Sequence, residues 1–476
     1  TQAFAVLAVG LATMAIPFAF SGPTIVLVWA LEGAALIWFG CISGRRLARI
    51  AGLILIGLAA AIWSVLLVFE YRPAELLLLN ASGLGGLAIV IAAWLAAWRY
   101  QLVGANSVRY NGLFVFGFVF WLVMGLSETE RFFSDALFRS SLLGFLTVSA
   151  LISGMIYWRR GWSSAGLATA AMLACITLTF VAQSSPFNPL LNFAWLIGLA
   201  LIAVVLLLDR LYAMNQSAWR ARISLFAHLA VAAWVGQLLW FLSVKAEWSE
   251  GWQWLFAGLP LLALNAWSLT PRRPLLCLNP MNVEQKAVLQ KGLAVVLLLA
   301  LLFSLHSTGS ATPLIWLPVF NPLELIQFIA LGLLFIHARK LNYPHWQPAV
   351  LAFVLITFAA LRSVHQLGGV AWNELALFDS ALAQATITIV WTVLGVIAWV
   401  VGSRRSMPTV WRVGAVLLSV VLLKLILIDR QFLSNVAGIL SFVAVGLLSI
   451  LVGFLAPAPP SAIPSSKSSS KQEDPK

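Results

Sequence analysis

About sixteen apolar runs follow one another along this chain, each roughly 17–25 residues long and divided from the next by a short polar turn. A helix rising ~1.5 Å per residue needs about 20 such residues to cross a ~30 Å hydrocarbon layer. The runs lie near 3–20, 24–40, 50–69, 76–98, 111–127, 140–158, 165–183, 190–208, 222–244, 252–270, 284–306, 319–337, 346–362, 382–402, 410–428 and 435–456. Two of the short ones can be re-entrant. The expected fold is therefore all-α: a polytopic transmembrane helical bundle of about 16 spans, within roughly 14–18. Only 9% of the 476 residues are charged and 62% are hydrophobic. A soluble domain carries roughly 25% charged residues, and a chain this poor in charge cannot clothe a soluble surface.

The positions of the basic residues orient the spans. When the turns are taken alternately, one set holds 22 of the 29 Lys and Arg, including Arg45, Arg46, Arg49, Arg159, Arg160, Arg404 and Arg405. The other set holds Arg72, Arg131, Arg139, Lys245, Arg362 and Arg430, and Lys424 falls inside a span. This bias places the basic turns and both termini of the chain in the cytoplasm. It also removes nucleic acid from the expected partners, because the net charge of +13 is spread over turns and forms no single basic surface. Glu70, Glu75, Glu128, Glu130, Asp135, Glu247, Glu250, Glu374, Asp379 and Asp429 all fall on the opposite, outer side.

Residues 1–456 thus form a multi-spanning domain, and 457–476, rich in Pro, Ser and Lys, read as a disordered cytoplasmic tail. The chain opens on Thr1 and enters an apolar run at once, as expected of a longer protein lacking its N-terminal part. Cys41, Cys175 and Cys277 have no metal-ligand spacing and imply no disulfide framework. Many of the 22 Trp lie near span ends, including Trp98, Trp158, Trp162, Trp219 and Trp346, as interfacial anchors do. Trp248, Trp252 and Trp254 at the outer face also offer rings on which a sugar can stack.

The run from Thr24 to Gly52 returns near the other end. Trp29, Gly33, Gly40 and Gly52 recur as Trp391, Gly395, Gly402 and Gly414, and Asn80 and Asn435 begin similar Gly-containing spans. The expectation is a parallel repeat, with copies at about 24–98 and 386–456. A second echo joins Pro186–Asn192 to Val319–Leu325, where Asn188 and Asn321 read as helix caps before Pro. Asn279-Pro280 reads as the same device, and Asn282 with Gln285 as a capping box.

WALEGAALIWFG with GRRLARIAG, then NPLELIQ, then the late run from His365-Gln366-Leu367-Gly368-Gly369 to WRVGAVLLSVVLLKLILID, resemble the bacterial membrane proteins of domain-of-unknown-function family 2339. The resemblance covers nearly all of the chain before the tail. It implies a many-spanning inner-membrane protein, whose members are typically longer ahead of the spans. It supplies no activity.

Polar residues within spans and at their mouths are the candidate site. Glu32 lies roughly 12 Å into its span, shares a helix face with Trp29, Gly33, Leu36 and Gly40, and is replaced by Leu394 in the second copy. An intramembrane carboxylate costs about 2.5–3.5 kcal/mol, so Glu32 is a candidate relay residue. Lys424 either snorkels to the outer interface or pairs with Glu32. The segment Arg362–Asp379 gathers Arg362, His365, Gln366, Trp372, Asn373, Glu374 and Asp379 around Gly368-Gly369. It reads either as a solvated loop or as a site with His365 as base beside a carboxylate. Glu324 and Gln327, one turn apart, can join it. His228 reads as a satisfied or interfacial histidine, and His306, His337 and His345 as interface residues. No Walker loop, dinucleotide fingerprint, HExxH or CxxC occurs, so neither cofactor nor metal is expected.

Three readings follow. The first is a transporter or flippase of an envelope component or small solute. The second is a membrane-embedded glycosyl- or acyltransferase acting at the outer face, with His365, Glu374 and Glu324 as catalytic candidates. The third is a non-catalytic organising envelope protein. The balance lies away from an enzyme. The lipid bilayer is the expected partner, with a small-molecule or lipid-linked substrate in the first two readings.

Overall fold

In the computed structural model, residues 22–69, 76–182, 193–214, 219–272, 274–344 and 346–432 are described, with isolated positions outside these ranges. Among them there is no strand. The helices are α1 (Gly22–Ile42), α2 (Arg46–Phe69), α3 (Ala81–Leu102), α4 (Ser107–Phe132), α5 (Asp135–Arg160), α6 (Ser163–Val181), α7 (Ala194–Met214) and α8 (Arg220–Lys245). They continue with α9 (Glu250–Leu269), α10 (Val283–Phe303), α11 (Pro322–Lys340), α12 (Trp346–Gly368), α13 (Glu374–Asp379), α14 (Ala381–Arg404) and α15 (Pro408–Leu427). Thirteen of the described helices are long and apolar enough to cross a membrane. The run at 252–270 forms α9, which is not among the thirteen and carries Pro260 inside it. The runs at 3–20 and 435–456 fall almost wholly outside the described residues, as do Pro186–Asn192, His345 and the tail.

The chain divides into two compact units, one of Thr1–Leu242 with Ala257–Val296 and one of Ser243–Phe256 with Leu297–Lys476. In both, apolar side chains point outward. Leu31, Phe39, Val68 and Leu167 are exposed in the first unit, and Leu325, Ile329, Leu422 and Leu423 in the second. Lipid can solvate such a surface; water cannot. In the first unit, the interior between α1, α2 and α3 is built from Val26, Ala30, Ile37, Ile56, Ala59, Trp63, Ile89 and Ala92. A second cluster, around Phe114, Trp162, Leu173, Ile176, Leu208 and Tyr212, joins α4 to α7. Small and hydroxyl residues hold helices together where apolar burial no longer drives association. Ser153 Oγ lies 3.0 Å from Thr169 Oγ1 between α5 and α6.

The α1–α2 hairpin crosses on two glycines. A Cβ on Gly33 would lie 2.7 Å from the Gly52 carbonyl oxygen, and one on Gly52 would collide with the Gly33 carbonyl. In the second unit, the α14–α15 hairpin crosses in the same way. A Cβ on Gly414 would lie 2.8 Å from the Gly395 carbonyl oxygen. Both pairs stand at the offset of 362 that relates the two sequence runs.

The caps follow sequence chemistry with one exception. Asn321 Oδ1 accepts from Glu324 N at 2.9 Å at the start of α11, with Pro322 in the first turn. Asn80 Oδ1 accepts from Gly83 N at 2.8 Å, and Asn282 Oδ1 from Gln285 N at 2.7 Å. Asn279-Pro280 does not start a helix. Its carbonyls are acceptors for Arg220, and α10 begins only at Val283.

Candidate functional site

The polar cluster expected near Arg362 forms within the second unit. Helix α12 does not stop where the apolar run stops but continues to Gly368, so Arg362, His365 and Gln366 lie on its last two turns and not in a loop. Arg362 is wholly buried. It can be, because α10 gives way after Phe303 to a single 3₁₀ turn, Ser304–His306, and then to irregular backbone up to Asn321. Irregular backbone away from water must find partners for its carbonyls.

Those partners are side chains. The Arg362 guanidinium donates to Ser307 O at 3.0 Å, Ser304 O at 3.4 Å and Leu305 O at 3.5 Å. Trp372 Nε1 donates to His306 O at 2.8 Å, and Gln366 Nε2 to Thr308 O at 3.2 Å. Trp316 Nε1 takes Gly309 O at 3.0 Å, Ser249 Oγ takes Ser310 O at 2.7 Å, and Trp252 Nε1 takes Ala311 O at 3.0 Å. Every carbonyl from 304 to 311 is thus held by a side chain, and Glu250 closes the segment by accepting from Thr308 Oγ1 at 2.8 Å. Trp252 therefore spends its indole N–H on the fold.

Two acidic or amide groups complete the cluster. Gln327 accepts from Arg362 Nη1 at 3.2 Å and donates to Ser304 Oγ at 2.8 Å. Glu324 Oε2 accepts from Val319 N at 2.6 Å. Its other oxygen, Oε1, lies 3.8 Å from Arg362 Nη1 and is buried with no hydrogen bond. A buried carboxylate oxygen in contact with a guanidinium, but beyond hydrogen-bond distance of it, is an acceptor with capacity to spare.

At the rim, half-buried His365 donates Nδ1–H to the Val370 carbonyl at 2.7 Å. Since a carbonyl can only accept, Nδ1 carries the proton and the neutral ring's Nε2 is left as the basic nitrogen. The orienting group is main chain, not the carboxylate expected. The His365 ring lies 5.8 Å from Trp372, which also lies under Arg362 at 5.8 Å. Asn373 caps α13 by accepting from Ala376 N at 2.8 Å. Glu374 and Asp379 are exposed and, among the described residues, hydrogen-bonded neither to His365 nor to Arg362.

Lys424 does not snorkel. It is 9% exposed and donates to Asp429 Oδ1 at 2.5 Å, Thr388 Oγ1 at 2.8 Å and Gln384 O at 3.1 Å. Thr388 in turn donates to Asp429 Oδ2 at 2.6 Å. All three ammonium protons are committed within the second unit, which leaves none for Glu32. Glu32 itself is half-buried in the first unit, one residue before the Gly33 crossing.

A further polar group lies in the first unit, and sequence reasoning missed most of it. Asp209 is buried and paired with Arg220 Nε at 2.9 Å, and it also accepts from Leu278 N at 2.9 Å. Arg220 continues to Asn279 O at 2.8 Å and Pro280 O at 3.1 Å. Beside them His228 donates Nδ1–H to Ser224 O at 2.7 Å and accepts from Leu276 N at 3.2 Å, which makes it the satisfied histidine expected. Burial pushes the Cys277 thiol in this loop up to about 12. The one available signal was Asp209 at the end of an apolar run, with Arg220 across a short turn. His337, read as an interface residue, is instead buried.

A family model described as a predicted membrane protein, DUF2339, matches residues 1–138 and 114–459. The chain belongs to the DUF2339 family. Its long apolar helices agree with that description. No curated protein and no solved structure matches it. The chemistry of this DUF2339 protein therefore rests on the groups just described.

Proposed function

We propose that this chain is a transporter or flippase that passes an envelope component or small solute across the inner membrane, with both of its termini in the cytoplasm. The observation that carries the reading is the Glu324–Arg362 contact. Two opposite charges are buried at the mouth of spanning helices, 3.8 Å apart, and one carboxylate oxygen has no donor. Ionisable groups kept within a membrane domain at this cost mark ion and substrate paths. A substrate hydroxyl, amine or proton arriving at Oε1 would supply the missing donor. The contact to Arg362 is loose enough to open without breaking the carbonyl ring that holds the guanidinium.

A second reading has its own support. His365, with its tautomer set by Val370 and its ring beside Trp372, is arranged as a general base at the outer face, as an envelope transferase needs.

The side on which material accumulates in a deletion strain separates these readings. Loss of transport leaves a finished component on the cytoplasmic side. Loss of transfer leaves an unmodified acceptor outside. Complementation by Glu324→Gln should fail under the transport reading, and complementation by His365→Ala should succeed. Full complementation by Glu324→Gln would sink the proposal.

A further inference from the structure

A groove of about 270 Å³ opens in the first unit, where α3 and α5 approach their basic C-terminal ends. Its floor is Ile91, Leu95 and Ile156, its walls are Trp94, Trp98 and Trp162, and Arg160 stands at the edge. We infer that this groove binds an anionic phospholipid through its phosphodiester. The site is separate from the one proposed for transport.

The polar atoms around it are donors. Trp94 Nε1 is spent on Phe114 O at 3.3 Å. Trp98 Nε1 and Trp162 Nε1 are buried with no acceptor, and Trp162 is only 2% exposed. The Arg160 guanidinium lies 4.6 Å from the Trp98 ring centroid, and among the described residues no carboxylate pairs with it. Next along, Trp38 meets Trp98 edge-on at 5.8 Å and carries Arg99 4.1 Å over its face, with Arg99 Nε buried and without an acceptor. The Trp98–Trp38 ring pair therefore carries a cation on each ring.

A ligand matched to donors alone must be an acceptor alone, and a phosphodiester is one. Two guanidiniums without carboxylate partners select an anion, since the ammonium of a zwitterionic headgroup would be repelled. The apolar floor selects an amphiphile over a free ion. At ~30 Å³ per water-sized group the groove holds about nine such groups. That is about the size of a phosphoglycerol head, with the acyl chains in the bilayer.

The test uses the full chain purified in mild detergent, with native mass spectrometry counting bound phosphatidylglycerol against phosphatidylcholine. Wild type should retain phosphatidylglycerol in preference. Arg160→Gln and Trp98→Phe, which keeps the ring and removes the N–H, should each weaken that retention about tenfold. Arg272→Gln is the matched control, because Arg272 is also exposed and lies over Trp267 at 5.6 Å. It should leave retention unchanged. Equal retention of the two lipids, or an Arg160→Gln result equal to that of Arg272→Gln, overturns the proposal. Displacement of the lipid by millimolar inorganic phosphate would also overturn it, by showing a site for the free ion.

Discussion

Replacing Arg362 with methionine keeps an unbranched apolar stem and removes the donors to the carbonyls of Ser304, Leu305 and Ser307. Five interactions go at once: the bonds to Ser307 O, Ser304 O, Leu305 O and Gln327 Oε1, and the contact with Glu324. Removing one partner from a buried charge pair costs about 3–5 kcal/mol, because the other charge stays buried without compensation. Each orphaned carbonyl adds about 1–3 kcal/mol unless it relaxes toward water. The cheapest response is local opening of the segment. The amides of Ser307, Gly309 and Leu314, which are hydrogen-bonded within it, should then exchange about 10²–10³-fold faster. Hydrogen exchange by mass spectrometry on the purified chain reads this directly, with peptides from α15 as the internal control. Adding Glu324→Gln removes the stranded charge and should return at least about 1 kcal/mol of protection. Unchanged exchange at 304–314 in Arg362→Met would refute the idea that this guanidinium holds the segment.

Three further outcomes are expected. Gly52→Ala, whose Cβ would strike the Gly33 carbonyl, should lower thermal stability by roughly 1–3 kcal/mol, whereas Gly57→Ala on the same helix, with open space around it, should be neutral or stabilising. Lys424→Met and Asp429→Asn should show a coupling of about 1 kcal/mol or more in a double-mutant cycle, and Lys424→Met with Glu32→Gln should be additive. In a Cys41→Ala, Cys175→Ala background, Cys277 should resist maleimide at pH 7–9 and react only on unfolding. Its folded pKa, raised by burial to about 12, stabilises the fold below the ordinary thiol value, and that contribution is lost as pH rises toward 12. A thermal midpoint that rises between pH 9 and 11 would contradict that sign.

The spans were legible because apolar length is a local property of sequence, and so were the caps at Asn80, Asn282 and Asn321. What was not legible depended on partners far along the chain. The apolar run at 346–362 ends where Arg362 stands, and the carbonyls of Ser304, Leu305 and Ser307 with Gln327 allow α12 to carry a charge onward in burial. Asp209 stands out only once Arg220 and Leu278 are brought to it. Lys424 differs, since its counter-charge, Asp429, lies only five residues along the chain. Trp162 was read as an anchor, and nothing local reveals that its N–H is buried without an acceptor. Arg362, Gln327, Glu324, His365 and Trp372 do come together in one cluster. Which of them hold the fold and which keep capacity for a ligand was decided by hydrogen bonds no spacing could supply.

If the spare oxygen of Glu324 beside Arg362 lies on a path across the membrane, its loss must stop that crossing. The direct measurement is transbilayer movement in vesicles of envelope lipid extract, protein-free or holding the wild-type chain or Glu324→Gln, read by how fast labelled extract components become accessible on the far side. Wild type should accelerate the crossing of at least one component, and Glu324→Gln should return it to the protein-free rate. Equal rates in all three, or equal acceleration by both proteins, would contradict it.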